Sequence, residues 1–498
     1  MFSVVAGCGG GSPGRDIPDA PRGCPAGQHA SNDECVPDSP PEAGVNPPET
    51  FASLCSKHLD DQGMQAFLLE WSTLGITGCD GVGSLLETQD SLAFTFSAIR
   101  RVDDAGRLEF RPWAITNTVV AALAALPRLT SLAFGNQPAV SDLSPLGKMP
   151  ALETLRVSGC GAHDLAFVQK LALISLEVRN ESVDSLAPLA SETQLQHLVL
   201  VDTQNADLAP LAGLTQLRSL TVTKNAVVSA APVAGMTELT QLALDDNGIT
   251  DLAPVAGLAK LTDLAVRNNK VASIAPLANL TRLTSLALSN NKITDLTPVG
   301  QLAGLTSLAI DQNAIASFAP LTKLVALTTL NLNRTGLADL AAIAANTKLE
   351  TLFLSDNPVT DLAALKQHAA LRVLAVERLR NASTPFDAAT VGTLIELRSL
   401  AISGNKLSDL TVVDRLTNLE ALIAAGNAIV DVAPAGRLTR LTRLELNVNL
   451  ITNIDALAQL ERLTTFVISG NTIDVGHCPV APLAKSPVLS TFCASLRP

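Results

Sequence analysis

Six histidines, at 29, 58, 163, 197, 368 and 477, and eight cysteines, at 8, 24, 35, 55, 79, 160, 478 and 493, are the residues best able to ligate a metal or act as nucleophiles. Their spacing does not organise them for either task. No CxxC pair occurs, and the histidines are scattered over the chain, so a zinc site is not expected. The HExxH, GxSxG, Walker and EF-hand patterns are absent. Gly9-Gly10-Gly11-Ser12 follows no strand-like run and reads as tether, not as a phosphate cradle. The chain is therefore expected to be no enzyme and to need no cofactor, metal or small-molecule substrate.

Composition narrows the remaining classes. Hydrophobic residues make up 47% of the 498, yet aromatics only 3%, with 13 Phe, 2 Trp and no Tyr. Leu, Ala, Val and Ile must then build the core. No window approaches the ~18 apolar residues of a membrane span. With 35 basic against 47 acidic residues, net −12, a phosphate-neutralising surface is not expected and nucleic acid is excluded as a partner. The first fifty residues hold 9 Pro, 8 Gly, 7 acidic and 2 basic residues, a composition that does not make a core.

What the body does have is a repeat. A leucine, or phenylalanine in the last unit, opens sixteen units at 132, 155, 176, 198, 220, 242, 264, 286, 308, 330, 352, 374, 400, 422, 444 and 466. Twelve of the fifteen spacings are 22 residues, the others 23, 21 and 26. A fixed period in the range of ~20–29 residues is that of a solenoid whose units bury a continuous core only by stacking. Leu-x-Leu alternation predicts a short strand with every second side chain inward. Five residues on stand Asn225, Asn247, Asn269, Asn291, Asn313, Asn357, Asn405, Asn427, Asn449 and Asn471. An amide has both donors and an acceptor for the backbone groups left over where the chain turns inside the stack, so these predict an asparagine ladder. Pro188, Pro210, Pro232, Pro254, Pro276, Pro298 and Pro320 recur every 22 residues, three after capping residues such as Asp207, Asp251 and Asp295. They predict short 3₁₀ or α turns on the convex side.

The phrase L-x-x-L-x-L-x-x-N-x-I-x-D-L-x-P-L-x-x-L is similar to the 22-residue leucine-rich repeats of internalins and related bacterial surface proteins. The resemblance implies an α/β solenoid: a horseshoe with a parallel concave sheet, about sixteen coils and a cap at each end. It carries over no partner, because one scaffold serves many, and the immunoglobulin-like domain of internalins does not follow here.

Val5-Ala6-Gly7-Cys8 resembles a bacterial lipobox, which implies acylation of Cys8 and membrane attachment through lipid alone. Seven residues precede Cys8 and none is basic, shorter than a signal peptide. With Cys8 lipidated and Cys160 buried, the pairing that keeps every loop short is Cys24 with Cys35, Cys55 with Cys79, and Cys478 with Cys493. Such disulfides belong to an oxidising compartment. The expected organisation is a leader at 1–8, a tether with a small stapled loop at 9–50, an N-terminal cap at 51–128, the solenoid at 129–477 and a disulfide-closed C-terminal cap at 478–498. Within the first cap, Leu92–Phe96 and Leu108–Phe110 suggest a hairpin or a degenerate first coil.

The concave face is what remains for function. Its middle column is mostly small, with Phe353 as its one aromatic. Around it the neighbouring columns carry Asp245, Asp246, Arg267, Asp311, Arg334, Asp356, Glu377 and Arg378, the candidate binding patch. The unit after Leu374, which contains Leu379 to Phe386, has four extra residues and is expected to break the ladder. These features predict an extracytoplasmic, non-catalytic binding or scaffolding protein on the outer membrane or cell surface, or secreted, that recognises a protein or an envelope polymer. The alternatives are an intracellular regulatory subunit and a structural envelope protein without a specific ligand.

Overall fold

The computed structural model describes residues 28–31, 34–37, 50–72, 77–88, 91–94, 99–102, 108–111, 115–379 and 386–497. The leader, Cys8, Cys24 and the staple to Cys35 expected within the tether lie outside what is described.

Each repeat contributes one strand, from Ser131–Gly135 to Thr465–Val467, and all sixteen pair in parallel in sequence order. Leucine registers on leucine, as in Leu220↔Leu242↔Leu264↔Leu286. The sheet is open, and the coils close into a leucine-rich-repeat horseshoe. The core is the column of inward leucines and valines, nearly all without solvent exposure. Burying one such side chain is worth roughly 1.5–3 kcal/mol, and the repeat renews that gain in every coil. The strands shorten from five residues at Ser219–Thr223 to three at Gln241–Ala243 and beyond.

On the convex side the prolines sit in the first turn of 3₁₀ segments such as Ala209–Leu211, Ala253–Val255 and Ala275–Leu277. The aspartates act one position earlier than a helix cap. The carboxylates of Asp207, Asp251 and Asp295 accept from the amides of Ala209, Ala253 and Thr297, two residues on, and a leucine occupies the formal cap before Ala209 and Ala253.

The asparagine ladder is continuous over long stretches. Asn269 accepts from Ile249 N–H and donates to the carbonyls of Leu244 and Arg267; Asn291 does the same one coil on, with Val271 and Val266. Units without Asn improvise: the Thr335 hydroxyl donates to Leu332 O, and Gln137 accepts from Ile115 N–H. The long unit does not sever the ladder. Leu379 supplies no rung, but Asn405 accepts from Leu379 N–H and donates to Val376 O, so the next rung reaches back across it. Leu379 and Phe386, at the edges of the insertion, pack against the core.

Both open ends of the stack are covered. At the N-terminal end lie helices Phe51–Lys57, Gln62–Ser72, Gly78–Leu86 and Asn117–Leu123, with Phe51, Met64, Phe67 and Leu86 buried. A Cys55–Cys79 disulfide ties the first helix to the third. Ser91–Phe94 pairs in parallel with Ser131–Gly135 and so extends the sheet by a degenerate coil. Leu108–Phe110 does not pair with it. Leu108–Arg111 forms an antiparallel hairpin with Ile99–Val102 instead, because alternation marks a strand without naming its partner. At the other end helix Pro487–Ser495 closes the last coil, with Phe492 edge-on to Phe466 and Cys478 joined to Cys493.

Candidate concave-face recognition site

Four residues after the opening Leu or Phe, every one of the sixteen units holds a left-handed backbone. The occupants include Asn136, Gly159, Lys224, Asp246, Asn268, Arg334, Asp356, Arg378, Gly404 and Val448, all with φ between 47° and 68°. This column forms the rim where the chain leaves the concave strand. The bend aims the residue at the next coil's equivalent, so side chains 22 residues apart become neighbours. Sequence reasoning did not find this column. The signal available was the recurrence of Asn and Gly at that position, the residues that tolerate φ > 0 best.

That rim arranges the candidate residues into two groups. In the first, Arg267 donates through its guanidinium to Asp245 at 3.0 Å and through its backbone N–H to the same carboxylate at 2.6 Å. Beside it Asn268 donates to Asp246, and Asn290 to Asn268, a polar ladder along the rim. Of these residues Arg267 borders a shallow concave depression of ≈ 220 Å³ with Gln241, Ala243, Asp263, Ala265 and Ala287 in its wall.

In the second group Asp356 lies between two arginines. Arg334 Nε donates to Oδ2 at 3.0 Å, and Arg378 donates to both oxygens, Nε to Oδ1 at 2.8 Å and a terminal nitrogen to Oδ2 at 2.9 Å. The Arg378 hydrogen bonds, chiefly, hold the Asp356 carboxyl down at about 2, and Asp356 in turn raises Arg378. One carboxylate thus serves two guanidiniums, both about half exposed, and Glu377 acts on Arg378 as a second negative charge nearby. Phe353 stands on the same coil as Asp356, half-buried on the concave floor, in register with Asn331 on one side and Ala375 on the other. Glu377 takes its place on the next coil, its N–H donating to Ser355 Oγ.

Asp311 belongs to neither group. It is buried, and its carboxylate accepts from Ser289 Oγ. Among the described residues no cluster of three or more His, Cys, Asp or Glu is arranged for a metal, and no helix is long and apolar enough to cross a membrane. His368, one of the histidines scattered over the repeats, is buried between the carbonyls of Ala364 and Ile343 and serves the convex wall.

The parallel coils, the asparagine ladder and the rim define a leucine-rich-repeat recognition scaffold. The family model "Leucine Rich repeats (2 copies)" matches residues 263–301. An internalin, InlF, from Listeria monocytogenes is 30% identical, over 59% of this chain and 86% of that one, with a TM-score of 0.53. A leucine-rich-repeat protein of Leptospira interrogans shares the fold at 21% identity, over 79% of this chain and 93% of that one, with a TM-score of 0.56. The functional domain of InlJ from Listeria monocytogenes, which includes a cysteine ladder, shares it at 20% identity, over 70% and 73% of the two chains, with a TM-score of 0.52. A comparison with curated protein sequences finds no match. The chain belongs to the internalin-like bacterial leucine-rich-repeat proteins, whose fold serves protein recognition and is generally a non-catalytic scaffold.

Proposed function

We propose that the protein is a non-catalytic, extracytoplasmic recognition module, anchored through Cys8 or secreted, that binds a protein partner on its concave face. The observation that carries this reading is the second rim group. Phe353 is the one aromatic of a floor of mostly small side chains, and beside it two half-exposed guanidiniums, Arg334 and Arg378, are held in place by the shared Asp356. Arginine and aromatic anchors are the residues that dominate interface energetics. Asp245, Asp246, Arg267 and Glu377 form the wider rim, whereas buried Asp311 supports it from within. Extracytoplasmic placement is supported by the Cys55–Cys79 and Cys478–Cys493 disulfides, which persist in oxidising compartments.

The test is affinity capture from envelope and extracellular fractions with the wild-type chain and with an Arg267→Glu, Phe353→Ala, Arg378→Glu variant of unchanged circular dichroism. Loss of the captured partners in the variant is expected. Retention of the same partners would contradict concave-face binding. Protection of all four cap cysteines from thiol reagents after export is expected as well, and free thiols there would contradict the placement.

A further inference from the structure

The ladder position, five residues after each opening Leu or Phe, is occupied by Cys160 in the second coil and by Glu181 in the third. Glu181 is buried at 2% exposure. Its Oε1 does what an asparagine Oδ1 does and accepts from the preceding coil, from Cys160 N–H. An asparagine's nitrogen would then donate to carbonyls of the preceding coil and its own, as Asn247 does to Val222, Leu244 and Asp245. The equivalents around Glu181 are Val157, Val178 and Arg179. At that place Glu181 has Oε2, a buried oxygen with no hydrogen-bond partner among the described residues. An ionised carboxylate offers acceptors only and can make none of the amide's donations. A carboxylic acid, with one oxygen accepting and one O–H donating, supplies the amide's acceptor and one of its two donors.

We propose that Glu181 is a protonatable rung, whose acid form locks the second and third coils together and whose ionised form releases them, making the N-terminal end of the horseshoe responsive to pH. This inference is independent of the concave-face reading. The groups facing the rung do not neutralise a carboxylate there. On the preceding coil stand the Cys160 thiol, itself pushed up to about 11 by burial first and by Glu181 second, and His163, which is exposed and hydrogen-bonds Ser182 O through Nδ1. On the following coil the ladder position is Thr203, neutral and engaged with Asn225. Asp184 and Asp202 are exposed, and Arg179 is paired with Glu177. Burial outweighs the Cys160 N–H, His163 and the Ala162 N–H and carries the Glu181 carboxyl up to about 7. A raised acid contributes stability that is complete below its ordinary value of 4.5 and is lost as pH rises through about 7.

The experiment is hydrogen exchange by mass spectrometry on the full chain from pH 5 to 8, corrected for intrinsic exchange. The readout is protection of residues 158–183, with 267–293, whose rungs Asn269 and Asn291 are both asparagine, as control. Protection of 158–183 is expected to fall by up to on the order of 100-fold across that range while the control stays flat. Glu181→Gln, an amide at every pH, is expected to remove the slope. A flat wild-type profile, the same slope in the control segment, or an undiminished slope in the variant would each overturn the proposal. Should Glu181→Gln not fold, Glu181→Asn, the rung that ten other coils use, takes its place, and the wild-type comparison of the two segments decides by itself.

Discussion

Arg378 reaches back to Asp356 at 2.8 Å because Gly404, its counterpart one coil on, has no side chain; a Cβ on Gly404 would come within 2.7 Å of Arg378 Cγ. The rim triad is therefore built by four coils, three supplying charge and the fourth supplying space. Gly404 also has φ 68°, where an L side chain adds its own strain. Gly404→Ala is expected to lower stability by about 1–2 kcal/mol and to shift Arg378 away from Asp356. Urea denaturation gives the first effect and the Asp356 carboxyl titration the second.

Asp356 is held at about 2 against an ordinary 3.8. A depressed carboxylate contributes stability above its ordinary value and loses it as pH falls through its folded value, so the contribution is present at pH 7 and fades between about pH 4 and 2. Both arginines are about half exposed, so screening reduces it to about 1 kcal/mol. Asp356→Asn is expected to be less stable than wild type at pH 7 and to converge with it near pH 2 in paired thermal melts.

Asn357 is the most heavily used rung. Fully buried, it accepts from the N–H groups of Thr335, Gly336 and Leu337 and donates to the carbonyls of Leu332 and Leu354. Asn357→Ala strands those groups without water, at a cost of about 3–5 kcal/mol. A matching drop in the denaturation midpoint is expected, with hydrogen exchange rising first in residues 332–357.

Val448 is the β-branched member of the left-handed column, at φ 55° between Gly426 and Gly470, with its side chain 59% exposed. It gains little burial for its backbone strain. Val448→Gly is expected to stabilise the chain by about 1 kcal/mol, read as a higher melting temperature. An unchanged or lower one would show that this side chain packs.

The leucine spacing and the ten asparagines made the fold legible, because every coil solves the same burial and hydrogen-bonding problem with the same residues. The left-handed rim was legible only in the recurrence of Asn and Gly along it. Its requirement falls on the backbone, and Asn268, Lys224, Arg334 and Gly404 meet it with unrelated side chains. The irregular rungs Glu181 and Thr335 were hidden for the converse reason: different chemistry does the amide's work. Of the candidate site, the surface positions could be read from the repeat, but the sharing of Asp356 by Arg334 and Arg378 depends on the rim bend that brings residues 22 apart together. Asp311 looked equivalent to Arg267 by position, yet Ser289 on the neighbouring coil draws it inward.

The recognition claim is tested most directly by site-specific photo-crosslinking. A benzophenone side chain at Phe353 on the concave floor is compared with one at Ala256, exposed at the end of a convex 3₁₀ turn, both in the full chain incubated with envelope and extracellular fractions. A discrete adduct from position 353, absent from position 256 and lost with Arg334→Glu and Arg378→Glu, is the expected result. The same adducts from both positions, or an adduct from position 256 alone, would contradict concave-face recognition.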